Sequence, residues 1–129
     1  TLFEVKSPVD VAVTQLSFTN VFNRQTSSGQ RVTITAAVSN DNIRDLTNVS
    51  VKLYENGLTL AEQRVDLLRN QNRNVPFTWI APMITDGKEK TYTLAVVINP
   101  LGQDFEETNY DNNRKSEDIL VLPIMDVLP

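Results

Sequence analysis

Residues Asn48–Gly57 read NVSVKLYENG, and their pattern decides the fold class. Val49, Val51 and Leu53 alternate with Ser50, Lys52 and Tyr54, the period of a strand with one face buried and the other in water. Asn56-Gly57 comes directly after. A type I′ turn needs positive φ at both central residues, and Asn-Gly meets that need at little steric cost. The pair therefore predicts a hairpin, with a returning strand over about Leu58–Val65.

The same alternation recurs on either side. Gln30–Asn40 sets Val32, Ile34, Ala36 and Val38 on one face against Thr33, Thr35 and Ala37. Asp10–Phe18 opens the series, and Val75, Phe77 and Trp79 share a face in Val75–Ile80, where Pro76 points to a strand start or edge. Lys90–Ile98 groups Tyr92, Leu94, Val96 and Ile98, and a last strand is expected near Arg114–Leu122. Leu60–Arg69 also fits a helical stripe through Ala61, Val65 and Leu68, but its place after Asn-Gly favours a strand. Arg69–Asn74, polar and rich in asparagine, is expected to be a loop, and Ala81–Glu89 a connection. A sheet with one apolar face must bury it against a second sheet. About seven such strands predict an all-β, immunoglobulin-like antiparallel β-sandwich.

At 129 residues the chain is one domain with short ends. The expected division is a connector over 1–8, the domain over 9–122, and a second, apolar and proline-punctuated connector over 123–129. A start at Thr1 instead of Met is expected of a mature product or a domain cut from something larger. Cysteine is absent, which excludes disulfides and thiolate metal sites; histidine is absent too, which excludes Ser-His-Asp and Cys-His catalysis. Net charge is −4, with no basic run longer than Arg114-Lys115, so nucleic acid is not an expected partner. No apolar run approaches the roughly 20 residues that cross a bilayer.

The stretch Asp104–Asn113, DFEETNYDNN, concentrates carboxylates and amides. Calcium takes roughly six to eight oxygen ligands, and Asp104, Glu106, Glu107, Asn109 and Asp111 are the candidate metal ligands here. The spacing lacks the central glycine and terminal glutamate of an EF-hand loop. Asn and Asp side chains also satisfy loose backbone groups in long turns, and such turns are far commoner than dedicated cation sites. Beyond calcium no cofactor is expected. Glu106 and Glu107 are adjacent and point apart on an extended segment, whereas glycoside hydrolysis needs two carboxyls facing one bond, roughly 5–9 Å apart. The chain is not expected to be an enzyme. Trp79 has a face suited to a sugar ring, but its parity with Val75 and Phe77 places it in the core. Tyr54, opposite in parity to Leu53, and Tyr110, within the acidic stretch, are the expected contact residues. Asn48-Val49-Ser50 also matches a glycosylation acceptor.

Several segments carry a resemblance in order: Asp10–Val13, Ser28-Gly29-Gln30 before a Val/Ile/Thr strand, Val38-Ser39-Asn40, Asn48–Tyr54 leading into Asn56-Gly57, Phe77-Thr78-Trp79, and Tyr92-Thr93-Leu94. Its most specific part is Glu107-Thr108-Asn109-Tyr110-Asp111-Asn112-Asn113, a Glu-x-Asn-x-x-Asn-Asn loop before the last strand. Over roughly Pro8–Leu122 the chain resembles the cell-adhesion-related bacterial domain family, CARDB. Tyr110 stands where that family tends to have a second acid, and Asn99-Pro100 where it often has Asp-Pro. The resemblance implies a seven-stranded sandwich of extracellular and envelope proteins, often one module of several, with no catalytic residues.

The combined expectation is a non-catalytic module of a secreted, periplasmic or cell-surface protein. It would serve as an adhesion, interaction or spacer domain with a protein or glycan partner. Gln103–Asn113 and the Asn56-Gly57 tip are the expected contact regions. Two alternatives stay open: a calcium- or carbohydrate-binding module using loop 103–113, and a structural unit contributing strands to a surface assembly.

Overall fold

The computed structural model describes residues 10–40, 44–100, 107 and 110–124. Eight strands occur among them: β1 (Val11–Phe18), β2 (Gln25–Ser27), β3 (Arg31–Asn40), β4 (Leu46–Glu55), β5 (Leu58–Leu67), β6 (Gln71–Ile80), β7 (Lys90–Ile98) and β8 (Arg114–Leu122). They form two sheets, β1-β3-β6 and β2-β8-β7-β4-β5. All named pairings are antiparallel except β2 with β8, which is parallel. The immunoglobulin-like sandwich is thus present with one strand more than the alternation predicts. The extra strand, β2, has three residues, Gln25-Thr26-Ser27, too short and too polar to show a period.

The Asn56-Gly57 turn forms as expected, with φ of 48° and 84°. It commits Leu60–Arg69 to the strand reading, because β5 pairs with β4 from the turn onward. The expected loop at Arg69–Asn74 is corrected. Only a tight turn around Asn70, itself at φ 56°, separates β5 from β6, and Gln71–Asn74 pair with Asn40–Ala37 of β3. Their polarity reflects exposure, not irregular backbone; cross-strand hydrogen bonds make them a strand.

Two register shifts keep apolar side chains pointing inward. On β1 the shift between Val13 and Gln15 resets the parity, so that Val11 and Val13, then Leu16 and Phe18, all turn toward the core. On β4 a second shift lies between Leu46 and Val49, with Asn48 at φ 56°. Asparagine tolerates that left-handed conformation better than a branched residue would.

The core lies between the sheets. Val32, Ile34, Ala36, Val38, Val75, Phe77 and Trp79 face Val49, Val51, Leu53, Leu94, Val96, Ile98, Ile119 and Val121, all buried. Trp79 belongs to this layer at 2% exposure. Its indole Nε1 donates to Glu55 Oε2 at 2.7 Å, and its ring meets Tyr92 edge-on at 6.1 Å between centroids. A buried indole N–H needs an acceptor, and Glu55 supplies one without leaving the rim.

The strands run from pole to pole. β1 begins where β3 ends, Val11 beside Asn40, whereas β8 ends where β3 begins, Ser28 N–H donating to the Leu122 carbonyl at 2.8 Å. β3 alone, at ten residues, spans roughly 30 Å.

Replacing Gly57 by Ala tests the turn. Nothing lies within 4 Å of an added Cβ, so the cost is that of positive φ alone, about 1 kcal/mol. Gly29→Ala should cost more, because its Cβ would meet Met83 Sδ at 2.9 Å. Urea midpoints at constant slope would check both, and an unchanged midpoint for Gly57→Ala would mean that the turn does not set the register.

Candidate functional site

At the pole where β1 begins, Glu107 joins three segments. Its Oε1 accepts from the Val11 backbone N–H at 2.9 Å, and its Oε2 accepts from Asn99 Nδ2 at 2.7 Å and from Asn113 Nδ2. Asn113 Nδ2 also donates to the Ile98 carbonyl at 3.0 Å, and Ile98 N–H returns a bond to the Asn113 carbonyl at 2.9 Å. Asn99 is buried, at φ 46°, with its N–H on the Ser50 carbonyl. One carboxylate therefore ties the start of β1, the end of β7 and the approach to β8. Burial raises the Glu107 carboxyl above its ordinary value; the hydrogen bonds from Val11, Asn99 and Asn113 offset this in part, and the charge of Asp10 adds to it.

Around this clamp lie further oxygens. Asn112 Nδ2 donates to Asp10 Oδ2 at 2.9 Å, and Val13 N–H donates to the Asn112 carbonyl at 3.0 Å. Asn112 Oδ1 and Asn113 Oδ1 are buried without a hydrogen-bond partner. Of the candidate metal ligands, Glu107 is engaged as above and Asp111 is exposed, while Asp104, Glu106 and Asn109 lie outside the described residues. Among the described residues no group of three or more carboxylates comes together in a way that could hold a metal ion.

The second feature is a groove of about 670 Å³ on the outer face of the five-stranded sheet. Tyr54 and Gly57 line it from the β4–β5 hairpin, Val97 and Pro100 from β7 and its exit, and Tyr110, Asn113 and Arg114 from the approach to β8. The two tyrosines named from the sequence thus meet in one concavity. Tyr110 is held there, because its phenol oxygen accepts the Glu107 backbone N–H at 3.0 Å and its carbonyl accepts Asn113 N–H at 3.2 Å. The register puts Lys52 and Arg114 on either side of Val97, with Glu62 of β5 opposite Lys52. Arg114 forms no ion pair among the described residues, unlike Arg24 with Glu117 or Arg69 with Asp45. Sequence reasoning missed Val97, Pro100 and Arg114; the outward parity of Val97 was visible, but its cross-strand neighbours were not.

Removing the clamp should cost stability. Glu107→Ala leaves three donors, one of them 96 positions away, without this acceptor, and a loss of about 3 kcal/mol is expected at neutral pH. The pH dependence has a definite sign. A carboxyl whose folded value is raised binds a proton more readily in the folded state, so its contribution to stability falls as pH rises from the ordinary 4.5 through the raised value. Glu107→Gln removes that contribution. Its unfolding free energy should climb more steeply with pH just above 4.5 than that of the parent; parallel urea-denaturation profiles would contradict the assignment.

The CARDB family matches the chain over residues 11–117. Among solved structures, the chain is similar to the CARDB domain of a Pyrococcus furiosus protein in complex with di-metal ions. The TM-score is 0.74 and the identity 16%, covering 94% of this chain and 100% of that one. A solution structure of the same Pyrococcus furiosus domain gives a TM-score of 0.72 at 17% identity, covering 91% and 98%. A domain of a Methanosarcina acetivorans protein named for the cell surface gives 0.61 at 26% identity, covering 92% and 95%. No curated protein matches the chain. With the family matched across most of its length and the same sandwich in its relatives, the chain belongs to the CARDB family.

Proposed function

We propose that this CARDB domain is a non-catalytic extracellular or envelope module, serving as an adhesion or interaction domain of a larger protein. The carrying observation is the groove that gathers Tyr54, Tyr110 and Arg114 on an outer sheet face. Aromatic and arginine side chains are the types that concentrate binding energy at protein surfaces. The floor strands β7 and β4 have neighbours on both sides, so recognition there runs through side chains and not through added backbone pairing. The pole-to-pole course of the chain adds a spacer role, since the start of β1 and the end of β8 lie at opposite poles, apart by roughly the length of β3. The cell-surface name of the Methanosarcina acetivorans relative supports the compartment.

Beads coated with the domain should be retained on isolated cell-envelope fragments. Retention should fall at least tenfold for a Tyr54→Ala, Arg114→Gln double variant whose melting temperature matches the parent. Equal retention by the variant, or none by the parent, overturns the interaction reading.

A second reading, calcium binding at the Glu107 pole, is favoured by the orphaned Asn112 and Asn113 amide oxygens. The di-metal complex of the Pyrococcus furiosus domain supports it from outside this chain. The oxygens of Asp104, Glu106, Glu107, Asn109 and Asp111 are the donors this reading would enlist, which suits a hard cation. Millimolar calcium should then raise the melting temperature by about 5 °C over chelator. Identical melting curves in calcium and in chelator remove this reading.

A further inference from the structure

We infer that the groove over β4, β7 and β8 takes an acidic sugar, a uronate-type residue of a polysaccharide. The inference rests on the interaction reading above and specifies its ligand.

Three observations converge on that chemistry. First, the concavity is of ligand size, at about 670 Å³, and both its tyrosines reach it from rims, Tyr54 from the hairpin side and Tyr110 from the β8 side. Tyr110 is 43% exposed although its phenol is anchored to Glu107 N–H, so the ring is fixed in place while remaining reachable. A ring of that kind offers a flat apolar surface to the C–H face of a pyranose at little entropic cost.

Second, the groove is lined by one cation, Arg114, that no carboxylate opposes across its own row. Lys52, Val97 and Arg114 stand in one cross-strand row, and the neighbouring row is Tyr54, Ala95 and Ser116. Glu62 of β5 stands opposite Lys52, so the cation left facing the apolar strip without an acid opposite is the Arg114 guanidinium. Arg114 has no carboxylate partner among the described residues, and a planar guanidinium binds a carboxylate through two parallel hydrogen bonds. A neutral sugar would leave the Arg114 guanidinium without a counterpart.

Third, the geometry disfavours an acidic peptide. Peptides that dock on sheets commonly add a strand to an open edge, and β4 and β7, which carry Tyr54 and Val97, are already paired on both sides. The chemistry left to such strands is ring stacking, hydroxyl hydrogen bonds and one fixed anion.

The test is calorimetric titration of the intact domain with a galacturonate hexasaccharide, its methyl ester and a glutamate hexapeptide. The acid sugar should bind, the ester at least tenfold more weakly, and the peptide no better than the ester. Arg114→Gln and Tyr54→Ala should each weaken the acid sugar at least fivefold, with unchanged melting temperature. Ester and acid binding alike, peptide binding as well as sugar, or undiminished affinity in Arg114→Gln overturns the inference. So does absence of sugar binding. Should the sugars fail while envelope retention still depends on Tyr54 and Arg114, the interaction reading stands and only its ligand is wrong; loss of both removes the two together.

Discussion

Each of the two sheets has a single apolar face, and neither is stable until that face is covered by the other. This mutual coverage is the constraint on which the remaining structure depends. Ile34, Leu53, Leu94, Ile98 and Ile119 are fully buried between the layers, so none of these five is left for a partner. The register shifts on β1 and β4 serve the same end. Without the one near Thr14, Leu16 and Phe18 would point to solvent, since a one-residue slip exchanges the faces of everything beyond it. Interaction chemistry is thereby confined to outer faces, turns and poles.

Glu107 is the polar counterpart of that core. A sandwich closed by hydrophobic contact still has to settle the backbone and amide groups where strands end, and here one carboxylate collects three of them. The donor at Val11 is 96 positions away in sequence, so the clamp closes a loop that takes in most of the domain. Burial of the carboxylate opposes its ionisation, and the donors recover part of that cost. The same residue shapes the groove, because its backbone N–H holds the Tyr110 phenol. Stability at the pole and the shape of the groove are two consequences of one residue.

This explains which parts were legible in the sequence. Period-two alternation and Asn-Gly are local signals, and β3, β4, β5, β7 and β8 obey them closely. Gln71–Asn74 escaped because their strand character comes from pairing with Ala37–Asn40, a contact with no local signature. β2 escaped because three polar residues cannot display a period. Composition grouped Glu107 with cation ligands; its donors come from Val11, Asn99 and Asn113, and only the fold brings those together. Tyr54 and Tyr110 were each singled out from the sequence, whereas their meeting in one groove depends on β7 lying between β4 and β8.

The charge of the groove runs against that of the chain. A net charge of −4 repels a polyanion at long range, while Arg114 attracts one at contact. Salt acts unequally on these two effects. At about 0.1 M ionic strength the Debye length is roughly 10 Å, which suppresses repulsion from carboxylates across the domain but leaves a contact-distance guanidinium pair largely intact. An anionic ligand would therefore gain from moderate salt before losing to high salt, opposite to the steady weakening seen when a broad basic surface meets a polyanion. Such behaviour would suit a module that reads one acidic unit at a time, since specificity would then reside in the anchored Tyr110 ring, Tyr54 and one guanidinium and not in a diffuse field.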